Sequence, residues 1–306
     1  MKYTPPVLIT VLGPTATGKT RFASRLAHEF DGEIISADSR QVYRKLNIGT
    51  GKDYDDYCVN GYIVPYHLID ILDPQDEFDV YQFKNEFYNV FHLINQKNRI
   101  PFLVGGTGLY LSAVLQNYNF PQVDFDSDEY HKLKKLEPEK LKEILLSFSS
   151  RLHNTTDFSS KERMIKAIMI KSHESGVNRS SPEFNSLIIG IKLRRELVKS
   201  RITERLHKRL KAGMIEETEN LLKEGISHQR LRELGLEYKY ISFYLSGELD
   251  YNQLVDKLNT AIHRFSKRQM TWFRKMEREG VRINWLHPDD LPGARELIHS
   301  FLSQQN

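Results

Sequence analysis

The chain has 306 residues and a formal net charge of +4, with 40% hydrophobic and 27% charged residues. No apolar stretch approaches the roughly 18 residues that cross a membrane, so the composition indicates a globular protein without a membrane anchor. A single cysteine, Cys58, excludes an internal disulfide framework and a cysteine-based metal cluster, and favours a reducing, cytoplasmic compartment.

The first predicted element is a strand over residues 7–12, an apolar and largely β-branched run. A helix is predicted over residues 20–30, because apolar side chains recur there on one face. Between them lies a complete Gly-x4-Gly-Lys-Thr pattern, whose backbone N–H groups and helix N-terminus surround phosphate oxygens. This phosphate-binding loop comprises Gly13, Pro14, Thr15, Ala16, Thr17, Gly18, Lys19 and Thr20.

Two side chains of the phosphate-binding loop have distinct expected roles. Lys19 reaches the terminal phosphate of the ligand, and the hydroxyl of Thr20 is the expected ligand of Mg²⁺. The loop by itself leaves open whether the bound phosphates belong to a nucleotide.

Two further strands are predicted over residues 33–37 and 101–104, with a helix over residues 78–96 between them. Strands that alternate with helices predict an α/β fold, with a P-loop NTPase-like parallel sheet flanked by helices. The ends of parallel strands meet at one edge of the sheet, where ligands bind. We therefore expect the turns that begin at Asp38 and Gly105 to lie beside the phosphate-binding loop.

Asp38 follows the second strand, where a carboxylate serves either as a general base or as a helix N-cap. Thr107 offers a hydroxyl in the Gly-Gly-Thr-Gly turn after the third strand. Many P-loop phosphotransferases have an aspartate at the end of a strand to organise Mg²⁺, and the Gly-Gly-Thr sequence here counts mildly against such an enzyme.

Residues 121–184 are polar and helix-prone, with helices predicted over residues 130–147 and 161–171, and we interpret them as a helical insertion domain. The catalytic core would then comprise residues 1–120 and 185–306. Its second part is predicted to contain a strand over 186–193, helices over 195–211, 215–223, 231–245 and 251–279, a strand over 282–286, and a helix over 291–303.

The C-terminal part of the core is basic. Residues 191–280 contain 20 Lys/Arg against 13 Asp/Glu, whereas residues 51–130 contain 4 against 13. The last long helix interleaves aromatic residues with Arg264, Lys267, Arg268 and Arg274, a pattern typical of contact with a nucleic-acid backbone and bases. An ordinary amphipathic helix with a solvated basic face is the alternative.

Six sequence blocks, taken together, resemble the tRNA dimethylallyltransferases (tRNA isopentenyltransferases) over about residues 7–286. In order, they are the phosphate-binding loop, Ile-Ile-Ser-Ala-Asp-Ser-Arg-Gln-Val-Tyr-Arg, Leu-Asn-Ile-Gly-Thr-Gly-Lys, His-Leu-Ile-Asp-Ile-Leu-Asp-Pro, Val-Gly-Gly-Thr-Gly-Leu-Tyr and Lys-Arg-Gln-Met-Thr-Trp-Phe-Arg. Six ordered blocks are far more specific than the phosphate-binding loop alone.

The resemblance implies that the loop holds the diphosphate of dimethylallyl diphosphate. The N6 amine of the adenosine just 3′ of the anticodon attacks C1 of the dimethylallyl group, and pyrophosphate leaves. It further implies that Asp38 accepts the proton, that Lys19 and Mg²⁺ at Thr20 stabilise the pyrophosphate, and that Thr107 and Arg232 line the reaction channel. Arg232 would bind the departing diphosphate.

The same resemblance implies a monomeric enzyme that binds the anticodon stem-loop of tRNA. The residues expected to contact RNA are Asp38, Ser39, Arg40, Gln41 and Thr107 near the site, Glu162, Arg163 and Lys166 in the insertion, and Arg264, Lys267, Arg268 and Arg274 in the basic helix.

The sequence departs from the family pattern at three places. Arg40 replaces a methionine-like residue, the insertion block around Glu162 lacks a glutamine, and Leu236-Glu237 interrupts a Gly-Tyr-Lys/Arg motif. None of these departures falls in the phosphate-binding loop or at Asp38, so they bear on tRNA choice more than on chemistry and fit a divergent paralogue.

Two other enzymes are compatible with parts of the sequence. A P-loop kinase acting on a nucleotide or small molecule would use the same loop to bind ATP. An adenylate isopentenyltransferase would carry out the same prenylation on free AMP, although the extended basic C-terminus favours RNA.

Overall fold

The computed structural model describes residues 5–118, 127–148, 161–172 and 184–305, apart from the side chain of Arg163. Six of the strands in these ranges form one parallel sheet in the order β5-β2-β6-β1-β7-β8, and β3 and β4 pair in a separate antiparallel hairpin. The strands are β1 (Val7–Leu12), β2 (Gly32–Ala37), β3 (Cys58–Val59), β4 (Tyr62–Ile63), β5 (Tyr66–His67), β6 (Ile100–Gly105), β7 (Asn185–Ile191) and β8 (Asn284–Leu286).

Helices cover both faces of this sheet, which confirms the predicted α/β class. The described helices are α1 (Lys19–Glu29), α2 (Val80–Gln96), α3 (Gly108–Leu115), α4 (Asp128–Lys134), α5 (Pro138–Phe148), α6 (Lys161–Ser172), α7 (Arg195–Lys211), α8 (Met214–Lys223), α9 (His228–Glu233), α10 (Leu236–Leu245), α11 (Tyr251–Arg278) and α12 (Leu291–Ser303).

The central strands are buried throughout, as expected of a parallel sheet covered on both sides. In β1 the side chains alternate, so that Ile9 packs among residues of α1 and α12, whereas Leu8 packs among residues of α2, α3 and α11. The register aligns Leu12 of β1 with Gly105 of β6, and Gly105 with Ala37 of β2. The three turns that the sequence analysis singled out therefore leave the sheet at one edge.

The sequence analysis assigned no elements to the segment between Asp38 and α2. The structure places there a short 3-10 helix (Tyr54–Tyr57), the β3–β4 hairpin and β5, which forms one edge of the main sheet beside β2. Strands of two residues are too short to show a hydrophobic period, so periodicity could not reveal them.

Two helices predicted as continuous are each divided in the structure. Residues 231–245 span α9 and α10, which are separated at Gly235, whose φ of 151° is accessible mainly to glycine. Residues 130–147 span α4 and α5, and α5 begins at Pro138, because proline is favoured at the first turn and disfavoured within a helix. In both cases apolar residues recur at helical spacing on either side of the interruption, so periodicity alone predicted one continuous helix.

The insertion forms its own compact unit. By its internal contacts this unit spans Asn117–Ser181, and the remaining unit comprises Met1–Gln116 and Pro182–Asn306, compared with the predicted insertion over 121–184. Its described part consists of α4, α5 and α6, and Leu141, Leu145, Ile165 and Met169 lie in its own apolar core. Within the described ranges, no helix is long and apolar enough to cross a membrane.

The start of β2 carries a fully buried carboxylate, Glu33, at the end of the strand away from the three turns. It accepts hydrogen bonds from His67 (Nε2, 2.7 Å), Lys97 (Nζ, 3.1 Å) and Arg99 (Nη1, 3.0 Å). Burial acts to raise the pKa of Glu33, but these three partners outweigh it and hold the pKa below 4.5.

We expect Glu33→Gln to lower the free energy of unfolding by about 2–3 kcal/mol at pH 7, because it removes the charge that pairs with the cations of Lys97 and Arg99. A depressed carboxyl pKa stabilises the fold above the unfolded-state value near 4.5, and this contribution is lost as pH falls through the folded-state pKa. Urea unfolding between pH 3 and pH 7 measures it. The wild type should lose stability more steeply below pH 4.5 than the variant, and parallel curves would contradict the assignment.

Candidate active site

The phosphate-binding loop joins β1 to α1 with an unusual backbone. Ala16 (φ 64°) and Gly18 (φ 82°) both adopt left-handed conformations, which turn successive N–H groups toward one concavity. Gly18 is the N-cap of α1 and no side chain caps this helix, so its first N–H groups face the concavity. The buried Thr17 hydroxyl donates a hydrogen bond to the Pro14 carbonyl at 2.9 Å, which stabilises the conformation of the loop. The arrangement is an anion-binding cradle.

Lys19 is half-buried at the start of α1. Burial lowers the pKa of its amine to about 8, the charge of Asp38 acts in the opposite direction, and the charge of Arg205 lowers it further. The structure therefore brings the predicted Lys19 and Asp38 within electrostatic reach of one another, and it adds an arginine to them.

The turns after β2 and β6 are tied to each other. The Thr107 amide donates to the Ala37 carbonyl (3.3 Å), and the Ser39 amide donates to the Thr107 hydroxyl (3.2 Å). Asp38 Oδ1 accepts the Arg40 amide at 2.9 Å, so one carboxylate oxygen stabilises the local turn. No helix begins at Asp38, so the helix N-cap interpretation is wrong. Asp38 and Thr107 therefore lie together beside the cradle.

The buried side of α11 also contributes to this site, which the sequence analysis did not predict. The Gln269 amide accepts the Thr15 N–H through Oε1 and donates to the Gly106 carbonyl through Nε2, both at 2.9 Å. A single buried side chain thus links the phosphate-binding loop to the end of β6. In the sequence, Gln269 is an uncharged polar residue at a position of α11 where the helical period expects an apolar one, and this exception could have indicated a buried polar contact.

Arg205 and Arg209 of α7 are a second contribution that the sequence analysis missed. Arg205 Nη2 contacts Asp53 Oδ2 at 3.0 Å, and Arg209 Nη2 lies 3.8 Å from the same oxygen. Helix α7 packs against the phosphate-binding loop, because Val198 and Ile202 share an apolar cluster with Ala16, and the charge of Arg205 lowers the pKa of Lys19. Both residues belong to a helix rich in arginine and lysine, and nothing in their spacing distinguishes them.

Arg232 lies among other partners. Its Nη2 forms an ion pair with Glu248, its guanidinium carbon lies 4.3 Å from the ring centroid of Phe243, and its Nε donates to the Ser242 hydroxyl at 3.4 Å. The guanidinium whose charge acts on Lys19 is that of Arg205, not of Arg232. The role of Arg232 in binding the departing diphosphate, which the family resemblance implied, stays a prediction.

A sequence profile described as IPP transferase matches residues 41–276, and one described as isopentenyl transferase matches residues 6–60. The chain belongs to the IPP transferase family. It is 47% identical over 295 residues to tRNA dimethylallyltransferase 1 of Syntrophus aciditrophicus, covering 95% of this chain and 97% of that protein. It is 48% identical over 285 residues to tRNA dimethylallyltransferase 2 of Phocaeicola vulgatus, covering 91% and 92%.

Solved structures agree with this assignment. The full-length tRNA isopentenylpyrophosphate transferase of Bacillus halodurans matches with a TM-score of 0.70 and 31% identity, covering 97% of this chain and 96% of the other. A eukaryotic dimethylallyltransferase acting on tRNA matches with a TM-score of 0.78, covering 98% and 80%, and at 20% identity it supports the fold alone.

The other predicted RNA-contacting residues of this IPP transferase family member lie on several elements. In α11, Arg264, Lys267, Arg268 and Arg274 are all exposed, on the side away from the buried Gln269 and Phe273. In α6 of the insertion, Glu162 is exposed and lies 3.9 Å from Lys166, whereas the side chain of Arg163 lies outside the described residues.

Gln41 contacts the loop formed by residues 46–52. Its amide donates to the Gly51 carbonyl at 3.1 Å. Glu217 of α8 holds the same loop by accepting the N–H groups of residues 47, 48 and 49 at 2.8–3.0 Å and the Tyr238 hydroxyl at 2.6 Å. The Leu-Asn-Ile-Gly-Thr-Gly-Lys block therefore has a fixed shape beside the site.

Proposed function

We propose that this chain transfers the dimethylallyl group of dimethylallyl diphosphate to N6 of the adenosine 3′-adjacent to the anticodon of tRNA, releasing pyrophosphate. The observation that carries the proposal is the meeting of an anion cradle, Asp38 and Thr107 at one edge of the sheet. The names of the relatives supply the acceptor. We further propose that the enzyme acts as a monomer in the cytoplasm.

The diphosphate is held by the N-terminal N–H groups of α1, by Lys19 and by Arg205. The two side chains are positively charged, and the N-terminus of α1 is the positive end of the helix dipole. All of them stabilise the diphosphate oxygens, which become more negative as the C1–O bond breaks. Gln269 keeps the loop at a fixed distance from the end of β6, so the donors need no reorganisation when that charge develops.

In the reaction, the N6 lone pair forms a bond to C1, and the electrons of the C1–O bond leave with pyrophosphate. The N6 amine must lose a proton as this bond forms, because an alkylated exocyclic amine is otherwise left cationic. Asp38 accepts that proton, and Thr107 fixes the turn that carries Asp38 through the Ser39 amide.

The residues present fit a Mg²⁺ ion bound together with the diphosphate. Within the described ranges, no group of three or more histidine, cysteine, aspartate or glutamate side chains is placed to hold a metal. Mg²⁺ in phosphate sites is commonly held by one or two protein oxygens, substrate phosphates and water, and Thr20 at the start of α1 supplies such an oxygen. The ion would neutralise charge on the leaving pyrophosphate.

The exposed basic face of α11 contacts the RNA, and the insertion is a second RNA-binding element. The target adenine must leave the stacked anticodon loop to bring its N6 beside Asp38, because chemistry on a base requires access to the reacting atom. Arg264, Lys267, Arg268 and Arg274 are exposed charges that bind phosphates in this approach.

Incubation with unmodified tRNA and dimethylallyl diphosphate, followed by mass spectrometry of the nucleosides, tests the proposed function. The expected product is adenosine with one added dimethylallyl unit at the position 3′ of the anticodon. AMP, offered in a parallel reaction, should remain unmodified, and its prenylation would instead indicate an adenylate isopentenyltransferase. ATP should give no thermal protection, whereas a kinase would be protected by it.

The double variant Arg268→Ala/Arg274→Ala should bind tRNA more weakly and with a shallower salt dependence. Loss of two phosphate contacts lowers the magnitude of the slope of log K against log salt by about 1.5–2. Filter binding between 50 and 300 mM KCl measures this slope. An unchanged slope would place both arginines outside the RNA interface and support the solvated-face interpretation of α11.

A further inference from the structure

The segment from Lys52 to Tyr57 presents the acidic side chain of Asp53 to two arginines of α7, Arg205 and Arg209. Asp53 precedes the 3-10 helix Tyr54–Tyr57, and its carboxylate contacts Arg205 of α7, the helix that packs against Ala16 of the phosphate-binding loop. A carboxylate near a polyanion binding site repels the ligand, so its presence calls for a compensating role.

We propose that Asp53 is a positioning residue of the diphosphate site, which holds the guanidinium of Arg205 in the orientation that receives the phosphates. This inference rests on the proposed function. Asp53 Oδ2 lies 3.0 Å from Nη2 of Arg205 and 3.8 Å from Nη2 of Arg209, one helical turn further along α7. One carboxylate oxygen therefore lies between two like charges and offsets their repulsion.

The contact with Asp53 leaves Arg205 able to bind phosphate. A guanidinium has five N–H donors in a planar fork, and a contact at one Nη atom occupies one side of the fork. Arginine loses substantial rotamer freedom when it is ordered, so a partner that orders it beforehand lowers the entropic cost of binding the diphosphate.

The backbone on both sides of Asp53 is anchored, so its carboxylate is held in place. Lys52 is buried, and its amine donates to the Tyr43 carbonyl and to Asp70. On the other side, Asp56 accepts from Arg21 of α1 at 2.9 Å, and Tyr57 is buried in the core. The side chain of Asp53, 54% exposed, extends from a segment fixed at both ends.

Gly51 completes this arrangement. Its φ of 67° is in the left-handed region, and a Cβ at this position would lie 1.7 Å from Nη2 of Arg209. The guanidinium of Arg209 thus lies directly against the backbone two residues before Asp53. Both arginines are therefore packed against one short segment, and only Arg205 acts on Lys19.

Asp53→Asn tests the proposal, with Asp55→Asn as the matched control. Asp55 is an exposed carboxylate in the 3-10 helix that follows Asp53, so both variants remove one negative charge from nearly the same place. Only Asp53→Asn removes the contact with Arg205. Calorimetric titration of the full chain with inorganic pyrophosphate and Mg²⁺ gives the dissociation constant. Steady-state kinetics with a tRNA anticodon stem-loop give KM for dimethylallyl diphosphate and kcat.

We expect Asp53→Asn to raise the pyrophosphate dissociation constant and this KM by about three- to tenfold, with kcat within about twofold of wild type, because Asp53 touches no reacting atom. Asp55→Asn should stay within twofold in all three, and Asp53→Glu should recover part of the loss. Binding by Asp53→Asn that equals or exceeds that of Asp55→Asn would overturn the proposal. A wild type that fails to bind pyrophosphate would instead refute the proposed function.

Discussion

Replacing Asp38 by asparagine is expected to lower turnover by about 10²–10⁴-fold, the range that a general base contributes. The amide is nearly isosteric and its oxygen can still accept the Arg40 N–H, so the turn after β2 is retained and only the proton acceptor is removed. Single-turnover prenylation with saturating tRNA and dimethylallyl diphosphate isolates the chemical step. Binding of tRNA should change by less than about threefold, because the loss falls on the transition state.

Asp38→Ala separates the two roles that the sequence left open. If the carboxylate serves as a base, both variants lose activity to a similar extent. If it serves mainly to brace the turn through the Arg40 amide, asparagine should retain most of the activity and alanine should lose it. Retained turnover in Asp38→Asn would therefore contradict the assignment of Asp38 as the general base and indicate that its carboxylate only stabilises the turn.

The second large effect is expected at Arg205. Arg205→Ala should lower kcat/KM for dimethylallyl diphosphate by about 10²–10³-fold, because it removes a cationic group from the proposed diphosphate site, where negative charge would develop on the leaving pyrophosphate. Steady-state kinetics at saturating tRNA measure this effect, and far-ultraviolet circular dichroism verifies that the overall helix content is retained.

Arg232→Ala provides the comparison that decides between the two arginines. Its guanidinium is engaged by Glu248 and Phe243, so its loss should lower kcat/KM by less than about tenfold. A larger effect at Arg232 than at Arg205 would return the diphosphate-binding role to Arg232, as the family resemblance implied.

The comparison of these two arginines shows how far the sequence could predict the site. The phosphate-binding loop is contiguous, and its conformation follows from glycines and a following helix that are adjacent in the chain. Asp38 and Thr107 could be assigned to the same edge because they directly follow parallel strands. These predictions needed only local pattern and the general geometry of α/β sheets.

The remaining contributors come from helices whose position depends on packing. Gln269 reaches Thr15 across 254 residues of sequence, and Arg205 reaches Asp53 across 152. One face of α11 was predicted to bind RNA and its arginines are exposed, whereas the opposite face enters the core with Phe273 and Met276. Helical periodicity identifies the exposed and the buried face of such a helix. It does not predict which groups form hydrogen bonds with a buried polar residue such as Gln269.

The short elements between β2 and α2 explain another limit of the prediction. The hairpin and β5 contain only two-residue strands, and their stability comes from neighbours such as β2 rather than from their own pattern. For the same reason, the ordered segment that presents Asp53 has no signature in the sequence beyond an acidic composition.

The sequence by itself determined the α/β class, the phosphate-binding loop, the positions of Asp38 and Thr107, the helical insertion and the family, because each depends on contiguous residues or on the order of strands. Only the tertiary structure showed that the charge of Arg205 reaches Lys19, that Gln269 joins the loop to β6, and that Asp53 contacts Arg205. These assignments depend on how α7 and α11 pack against the sheet, and long-range packing is not encoded in any local pattern of the chain.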